Sequence, residues 1–322
     1  MSCNHPMKAF WTGNLTENGK KEYVIIQHSD VKYLPEHYAL RKGYKINWSI
    51  APHCSGEGQR YLKDPVTIPC GKCVACRLAK SKEWTTRICL ESKCFKYTYF
   101  LTLTYDDYHL PPGEELSRKD LRNFIKRLRK YITFRYFACG EYGALEKTNR
   151  PHYHIIIMTD EKLDLRPAPK PNSFYNRYLD RTWTFGLYEL SFANETTIAY
   201  TAGYVFKKQL DLDKDNHIQK PFISSSDKPG FGYQYLLNHE ESILRTKKVY
   251  VNGKAKNVFR FIWKKLAEKM DIEPIKDELM IQAKNNEDKL KWYFNEKYID
   301  NFGNALDELY TDFLKSQRKE KM

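Results

Sequence analysis

The segment Pro151-His-Tyr-His-Ile-Ile-Ile-Met158 constrains the fold of this chain more than any other. Its run from Ile155 to Met158 is apolar and largely β-branched, so residues 152–158 read as a strand. Strand side chains alternate between faces. His152 and His154 therefore project together, and Tyr153, Ile155 and Ile157 project to the other side. Two imidazoles held by a sheet at that spacing can both bind one metal ion. By itself, His-x-His on a strand is more often ordinary polar surface, so a metal site needs a third ligand. Glu141, in Cys139-Gly-Glu-Tyr-Gly143, closes the preceding strand, and in a hairpin the end of one strand lies opposite the start of the next. Glu141 is thus the candidate third ligand. Imidazoles with a carboxylate leave Mg²⁺, Mn²⁺ and Zn²⁺ open.

The flanking sequence supplies the rest of an α+β fold. Residues 98–105, Thr-Tyr-Phe-Leu-Thr-Leu-Thr-Tyr, alternate as a strand, and Pro111-Pro-Gly113 breaks the chain after them. Ser117 stands where an N-cap would, with Leu121, Phe124, Ile125 and Leu128 at helical spacing as far as about Tyr131. The other face of that helix carries Arg122, Lys126, Arg127, Arg129 and Lys130. Residues 134–141 form a second strand, paired in a long-looped hairpin with 152–158. A helix over 174–183, a strand over 187–192 and a helix over 195–208 capped by Asn194 follow. The order β-α-β-β-α-β-α predicts a central antiparallel sheet with helices on one face. Residues 1–95 read as an irregular Cys-containing segment, 96–210 as the core, and 211–322 as an accessory region, helical from about 277. Within the last, 224–232 reads as a flexible stretch and Asn252-Gly253 as a hairpin turn.

The helix over 195–208 contains Tyr200-Thr-Ala-Gly-Tyr204-Val-Phe-Lys207-Lys208. At about 100° per residue, Tyr204 lies about 40° from Tyr200 and Lys207 about 20° to its other side, so two phenols and one ammonium share a stripe. A phenol can act as a covalent nucleophile, but its free pKa of about 10 demands a nearby positive charge. A Tyr pair at this spacing is usually packing, and the nearby histidines are what raise it to a catalytic candidate. Gly203 lies between the tyrosines and costs a helix interior about 1 kcal/mol against Ala, so a bend or loosening is expected there.

Charge points to a polyanionic partner. Lys and Arg total 54 against 40 Asp and Glu, a net charge of +14, which attracts nucleic acid or an acidic membrane surface. Arg122, Lys126, Arg129, Lys130 and Lys208 are the candidate DNA contacts. No run of about 18 apolar residues exists, so no membrane span is expected, and the first ten residues lack a secretory pattern.

Four segments together resemble a known family: Pro69-Cys-Gly-Lys-Cys-Val-Ala-Cys76, Phe100-Leu-Thr-Leu-Thr-Tyr-Asp-Asp107, Gly140-Glu-Tyr-Gly143 with Arg150-Pro-His-Tyr-His154, and Tyr200 to Lys208. The paired histidines, Tyr-x-x-x-Tyr and trailing Lys resemble the HUH endonucleases of rolling-circle replication. More narrowly, the set is similar to the replication initiators of gokushovirus-type Microviridae, small single-stranded DNA phages. The resemblance implies an HUH fold, with the tyrosine helix packed beside the sheet that carries the histidines. It implies a divalent Mg²⁺ or Mn²⁺ and nicking of the origin strand of the replicative form. On that reading Tyr200 or Tyr204 takes the 5′ phosphate, Lys207 assists, the 3′-OH primes a host polymerase and the displaced strand is later closed into a circle. Origin DNA, a host helicase and a host polymerase are then the expected partners, in the host bacterial cytoplasm. The rival readings are a non-enzymatic basic DNA-binding protein, a transposase or relaxase of the same superfamily, and a metal-dependent hydrolase that forms no adduct.

The chain has 8 cysteines and no sign of secretion, which favours thiols or metal ligands over disulfides. Cys70-x-x-Cys73-x-x-Cys76 suits a structural zinc site, for which Cys3, His5, His53 or Cys54 could be the fourth ligand. Three free thiols in a tight turn are the bland alternative.

Overall fold

The computed structural model describes residues 3, 5, 7–26, 45–56, 59–143, 150–207 and 219–272, with scattered positions from 274 to 281. The chain divides into two compact units, Met1–Ala79 with Pro274–Met322, and Lys80–Glu273.

In the first unit, β1 (Met7–Leu15) lies between β2 (Lys21–Ile26) and the later strand β5 (Val66–Ile68) in an antiparallel sheet. A hairpin of β3 (His53–Gly56) and β4 (Gln59–Leu62) adds a second ribbon. Its core is small: Phe10, Ala51 and Leu62 are buried together, with Ile46 and Trp48 against them. A helix, α1 (Val74–Ser92), follows β5 and continues into the second unit. The irregular segment expected over 1–95 is therefore corrected. The strands are short, and the apolar residues of α1, among them Val74, Ala75, Trp84, Ile88 and Leu90, are separated by Arg77, Lys80, Lys82 and Glu83, so its helical period is faint.

The second unit is a mixed α+β structure. Its elements are β6 (Tyr97–Thr104), α2 (Arg118–Leu128), β7 (Arg135–Tyr142), β8 (Pro151–Thr159), β9 (Arg166–Pro167), β10 (Phe174–Tyr175), α3 (Arg177–Thr182), β11 (Tyr188–Phe192), α4 (Glu195–Lys207), β12 (Phe222–Ser225), α5 (Tyr233–Thr246), β13 (Lys248–Val251), β14 (Lys254–Asn257) and α6 (Arg260–Ala267). Among the described residues one sheet runs in the order β12-β7-β8-β6-β11-β10-β9, every pair antiparallel. The strand with the two histidines thus lies inside the sheet, between β7 and β6.

Both faces of that sheet are covered, which corrects the one-sided arrangement expected. On the first, Leu101 and Leu103 of β6 and Tyr153, Ile155 and Ile157 of β8 meet Leu121, Phe124, Ile125 and Leu128 of α2 and Leu179 of α3. On the second, Phe137, Ile156 and Met158 meet Ile88 and Leu90 of α1, Ile198 and Ala202 of α4, Leu236 of α5 and Ile262 of α6. The uninterrupted Ile155-Ile-Ile-Met158 run reflects this, because a strand buried on both sides has no polar alternation.

Local signals hold at several boundaries. The Ser117 hydroxyl accepts from the Asp120 amide at 3.1 Å and starts α2. The Asn194 side chain accepts from the Thr197 amide at 2.9 Å and starts α4, which stays helical through Gly203. Asn252 (φ 47°) and Gly253 (φ 74°) both take the left-handed conformation that a two-residue hairpin requires between β13 and β14. Over 174–183 the single helix expected is two elements. Phe174 pairs with Leu190, and the Asn176 side chain then accepts from the Tyr178 and Leu179 amides to begin α3. The stretch expected to be flexible over 224–232 is instead tied down. β12 pairs with β7, and the Arg135 guanidinium donates to the carbonyls of Ser226, Lys228 and Pro229. Among the described residues no helix is long and apolar enough to cross a membrane.

The end of β6 is laced to the loop before β11 by Thr104 N–H to Leu187 O and Asp106 N–H to Phe185 O, both 2.9 Å. Gly186 lies between them at φ 152°, and a Cβ there would fall 2.4 Å from Thr104 O and Asp106 N. Both obstacles are backbone, so neither can swing away. Gly186→Ala is expected to destabilise the fold by about 2 kcal/mol. Urea unfolding checks this, and an unchanged midpoint would show that the loop relaxes freely.

Candidate metal centre

The candidate site stands on the second sheet face, at the end of β8 where apolar packing stops. Antiparallel partners share a face, and the register sets Glu141 opposite His152 and Cys139 opposite His154. On the other flank of β8, Thr102 lies opposite His154 and Thr104 opposite His152. Along the same face these positions continue into Phe137, Ile156 and Phe100. The polar cluster is the open end of an apolar row.

Glu141 Oε1 lies 2.9 Å from His152 Nε2 and 2.8 Å from His154 Nε2. The sequence-derived triad is therefore assembled, with one ligand atom from each residue lying within 4.8 Å of the others. Both outer nitrogens are engaged: His152 Nδ1 with the Arg150 carbonyl at 3.0 Å, and His154 Nδ1 with the Thr102 hydroxyl at 3.0 Å. Each ring thus turns its Nε2 inward. Glu141 is only 1% exposed, and its second oxygen, Oε2, has no hydrogen-bond partner among the described residues. Two oriented imidazoles and a buried carboxylate with a spare oxygen fit a divalent cation. The same set does not discriminate among Mg²⁺, Mn²⁺ and Zn²⁺. Cys139 adjoins the set but is no ligand candidate: burial, with the Glu141 charge adding to it, holds its thiol well above the ordinary range.

Tyr200 completes the cluster. Its ring meets the His154 ring edge-on, with centroids 5.2 Å apart, and it remains 40% exposed. On its other side, His154 stacks on Phe100 at 5.5 Å. Buried Ile198 and Ala202 hold α4 against the sheet. Tyr204 and Lys207 belong to α4, but their side chains lie outside the described residues, as does all of Lys208.

The basic residues of α2 are elsewhere. Arg122, Lys126, Arg129 and Lys130 are exposed, but α2 covers the first sheet face and the triad lies on the second. The structure does not bring that basic surface to the triad.

Two features escaped the sequence reading. One is Thr102, although its alternation with Leu101 and Leu103 marks it as facing the histidine side. The other is the anchor beneath the strand. The Tyr153 hydroxyl donates to Ser117 O and accepts from Ser117 N–H, both at 2.9 Å, and meets the Tyr105 hydroxyl at 2.8 Å. Burial pushes the Tyr153 phenol up to about 12, so it stays a neutral donor. The residue between the two histidines thus pins β8 to the start of α2 from the opposite face.

Comparison with known proteins agrees with this geometry. A family model of replication-associated proteins of the ORF2 type matches residues 98–209. The chain is 32% identical over 236 residues to replication-associated protein ORF2 of Spiroplasma virus 4, covering 66% of this chain and 71% of that protein. The chain belongs to the replication-associated protein family. Two further family members are replication-associated protein VP4 of Bdellovibrio phage phiMH2K and replication-associated protein ORF4 of Chlamydia phage 1. The first is 31% identical over 201 residues, covering 58% of this chain and 63% of that protein. The second is 30% identical over 206 residues, with coverages of 58% and 50%. No solved structure matches the chain. The span matched by the replication-associated family model contains Glu141, His152, His154, Thr102 and the whole of α4.

Thr102→Val keeps the side-chain shape and removes the hydroxyl that orients His154. Affinity for Mn²⁺ is expected to fall about 10–100-fold, measured by calorimetry. An unchanged affinity would reduce Thr102 to packing. Tyr153→Phe leaves the Ser117 amide and carbonyl without this partner and is expected to cost about 1–3 kcal/mol in urea unfolding.

Proposed function

We propose that this protein initiates viral DNA replication as a metal-dependent rolling-circle endonuclease of HUH type, acting on the origin strand of a phage replicative form. The observation that carries the reading is the Tyr200 ring against His154, on the same sheet face as Glu141 and His152. An exposed phenol beside a set of divalent-metal ligands is the arrangement that tyrosine-mediated phosphodiester cleavage requires. The antiparallel sheet flanked by helices, the family membership and the net charge of +14 support the same reading.

Glu141, His152 and His154 would hold Mg²⁺ or Mn²⁺, which when bound supplies positive charge to polarise the scissile phosphate. Tyr200 Oη attacks phosphorus as its proton departs, the bond to the 3′ oxygen breaks, and that oxygen takes up a proton to become a 3′-OH. The products are a 5′-phosphotyrosine and a primer end for a host polymerase. The phosphotyrosine conserves the phosphodiester, so the reverse attack by a 3′-OH closes a strand without ATP. Tyr204 gives a second nucleophile for the regenerated origin, and Lys207 gives charge for a phenolate whose free pKa is about 10. Lys208 and the exposed cations of α2 gather DNA through phosphate contacts. A host helicase and the host cytoplasm complete the setting.

The test is incubation with Mn²⁺ and a labelled single-stranded origin oligonucleotide, followed by a denaturing gel. Wild type is expected to give a protein–DNA adduct and a fragment with a free 3′-OH. The adduct is expected to vanish in the Tyr200→Phe/Tyr204→Phe double variant and in His152→Ala. Cleavage without an adduct would leave a metal nuclease with packing tyrosines. Neither cleavage nor adduct would favour a DNA-binding module.

A further inference from the structure

The first unit holds a second cluster that the nicking chemistry does not use. Cys3, Cys70, Cys73 and Cys76 bring four sulfur atoms within 4.8 Å of one another, and all four are free thiols. Cys3 Sγ lies 3.4 Å from Cys70 Sγ and 3.7 Å from Cys73 Sγ. A zinc ion with four bonds of about 2.3 Å sets its sulfurs roughly 3.8 Å apart, from tetrahedral geometry. The observed spacing is that of a single-ion site. It is too tight for an iron–sulfur cluster, whose inorganic core holds its thiolates apart.

The backbone is arranged to receive anionic sulfur. Cys70 Sγ accepts the amides of Lys72 at 3.4 Å and Cys73 at 3.3 Å, and Cys3 Sγ accepts the amide of Cys70 at 3.2 Å. Such N–H donors favour the thiolate over the thiol. The turn that aims two amides at one sulfur requires Gly71 at φ 72°, where a Cβ would meet nothing within 4 Å. Glycine is there for its conformation and not for space. Cys76 then lies in the first turn of α1, and Lys72 and Arg77, next to ligands in sequence, bring positive charge towards a tetrathiolate that would carry two net negative charges with zinc bound.

The structure also resolves the fourth ligand. Among the described residues the cluster takes Cys3 and leaves out His5, His53 and Cys54. His53 Nδ1 instead meets the Ala51 carbonyl at 2.9 Å.

We propose that Cys3, Cys70, Cys73 and Cys76 form a closed structural zinc site that joins the N-terminal segment to the start of α1. Binding releases the thiol protons to solvent, and no electron moves. With four protein ligands no coordination position is left for water or substrate, so the site is structural rather than catalytic. Its energetic role follows from the small core of this unit, Phe10, Ala51 and Leu62, since a unit with so little apolar burial needs a cross-link.

The test uses the full chain, purified without added metal, with His152 and His154 both changed to Ala so that the triad binds nothing. One zinc per chain by elemental analysis, released on titration with a mercurial that blocks thiols, is the expected result. Exchange with Co²⁺ is expected to give thiolate-to-cobalt charge-transfer bands in the near ultraviolet and intense tetrahedral ligand-field bands in the red. Cys3→Ser should weaken zinc retention at least tenfold in a chelator competition, and Cys54→Ser should leave it unchanged. Wild-type residues at the cluster suffice for the metal analysis, so misfolding of Cys3→Ser does not blunt the test. A chain that purifies without zinc, does not take it up and shows no cobalt–thiolate bands would overturn the proposal. So would bound iron in place of zinc, or equal loss of zinc in Cys54→Ser.

Discussion

Glu141, His152, His154 and Thr102 meet because antiparallel partners share a face and β8 lies between β7 and β6. A shift of one residue in either pairing would send the histidines into the core with Leu121 and Phe124 and bring Tyr153 to the other side. The register is held from beneath the site, not by the site itself. Tyr153 reaches through the opposite face to the backbone of Ser117, and Ile155 and Ile157 fill the core under α2. The same strand therefore carries stability on one face and polar chemistry at the end of the other.

That division has an electrostatic consequence. A carboxylate as buried as Glu141 is costly unless positive charge or hydrogen bonds offset it. Two imidazole nitrogens beside Oε1 supply part of that compensation, and Oε2 is left for more. With Nδ1 of each ring already engaged, the strain-free way to complete the set is a cation at its centre. Phe100 on one side of His154 and Tyr200 on another restrict how that ring can turn. Tyr200 is held by the packing of Ile198 and Ala202 while its own ring keeps access to solvent, as a group that must meet a large substrate requires.

Much of the second unit was legible because its signals are local. Ser117 and Asn194 cap the helices their side chains suggest, and Asn252-Gly253 turns the hairpin, since each depends on hydrogen bonds or backbone angles within a few residues. Where the reading failed, the deciding contact was distant or faint. β12 is ordered by pairing with β7 and by Arg135, far away in sequence. The single helix read over 174–183 was broken by Asn176, a local cap that the apolar period hid. In α1 charged residues diluted that period.

The sequence by itself determined the members of the candidate site. Alternation put His152 and His154 on one side of a strand, hairpin logic reached Glu141, and helical spacing singled out Tyr200. It also named four possible fourth ligands for the cysteine cluster without choosing among them. Only the tertiary structure decided that choice, the two-sided burial of the sheet, the Thr102 bond to His154, and the separation of the α2 basic surface from the triad. The reason is physical. Period and capping are set by neighbours along the chain, whereas which sulfur joins a cluster, or which sheet face a helix covers, is set by how segments many residues apart bury their apolar surfaces together.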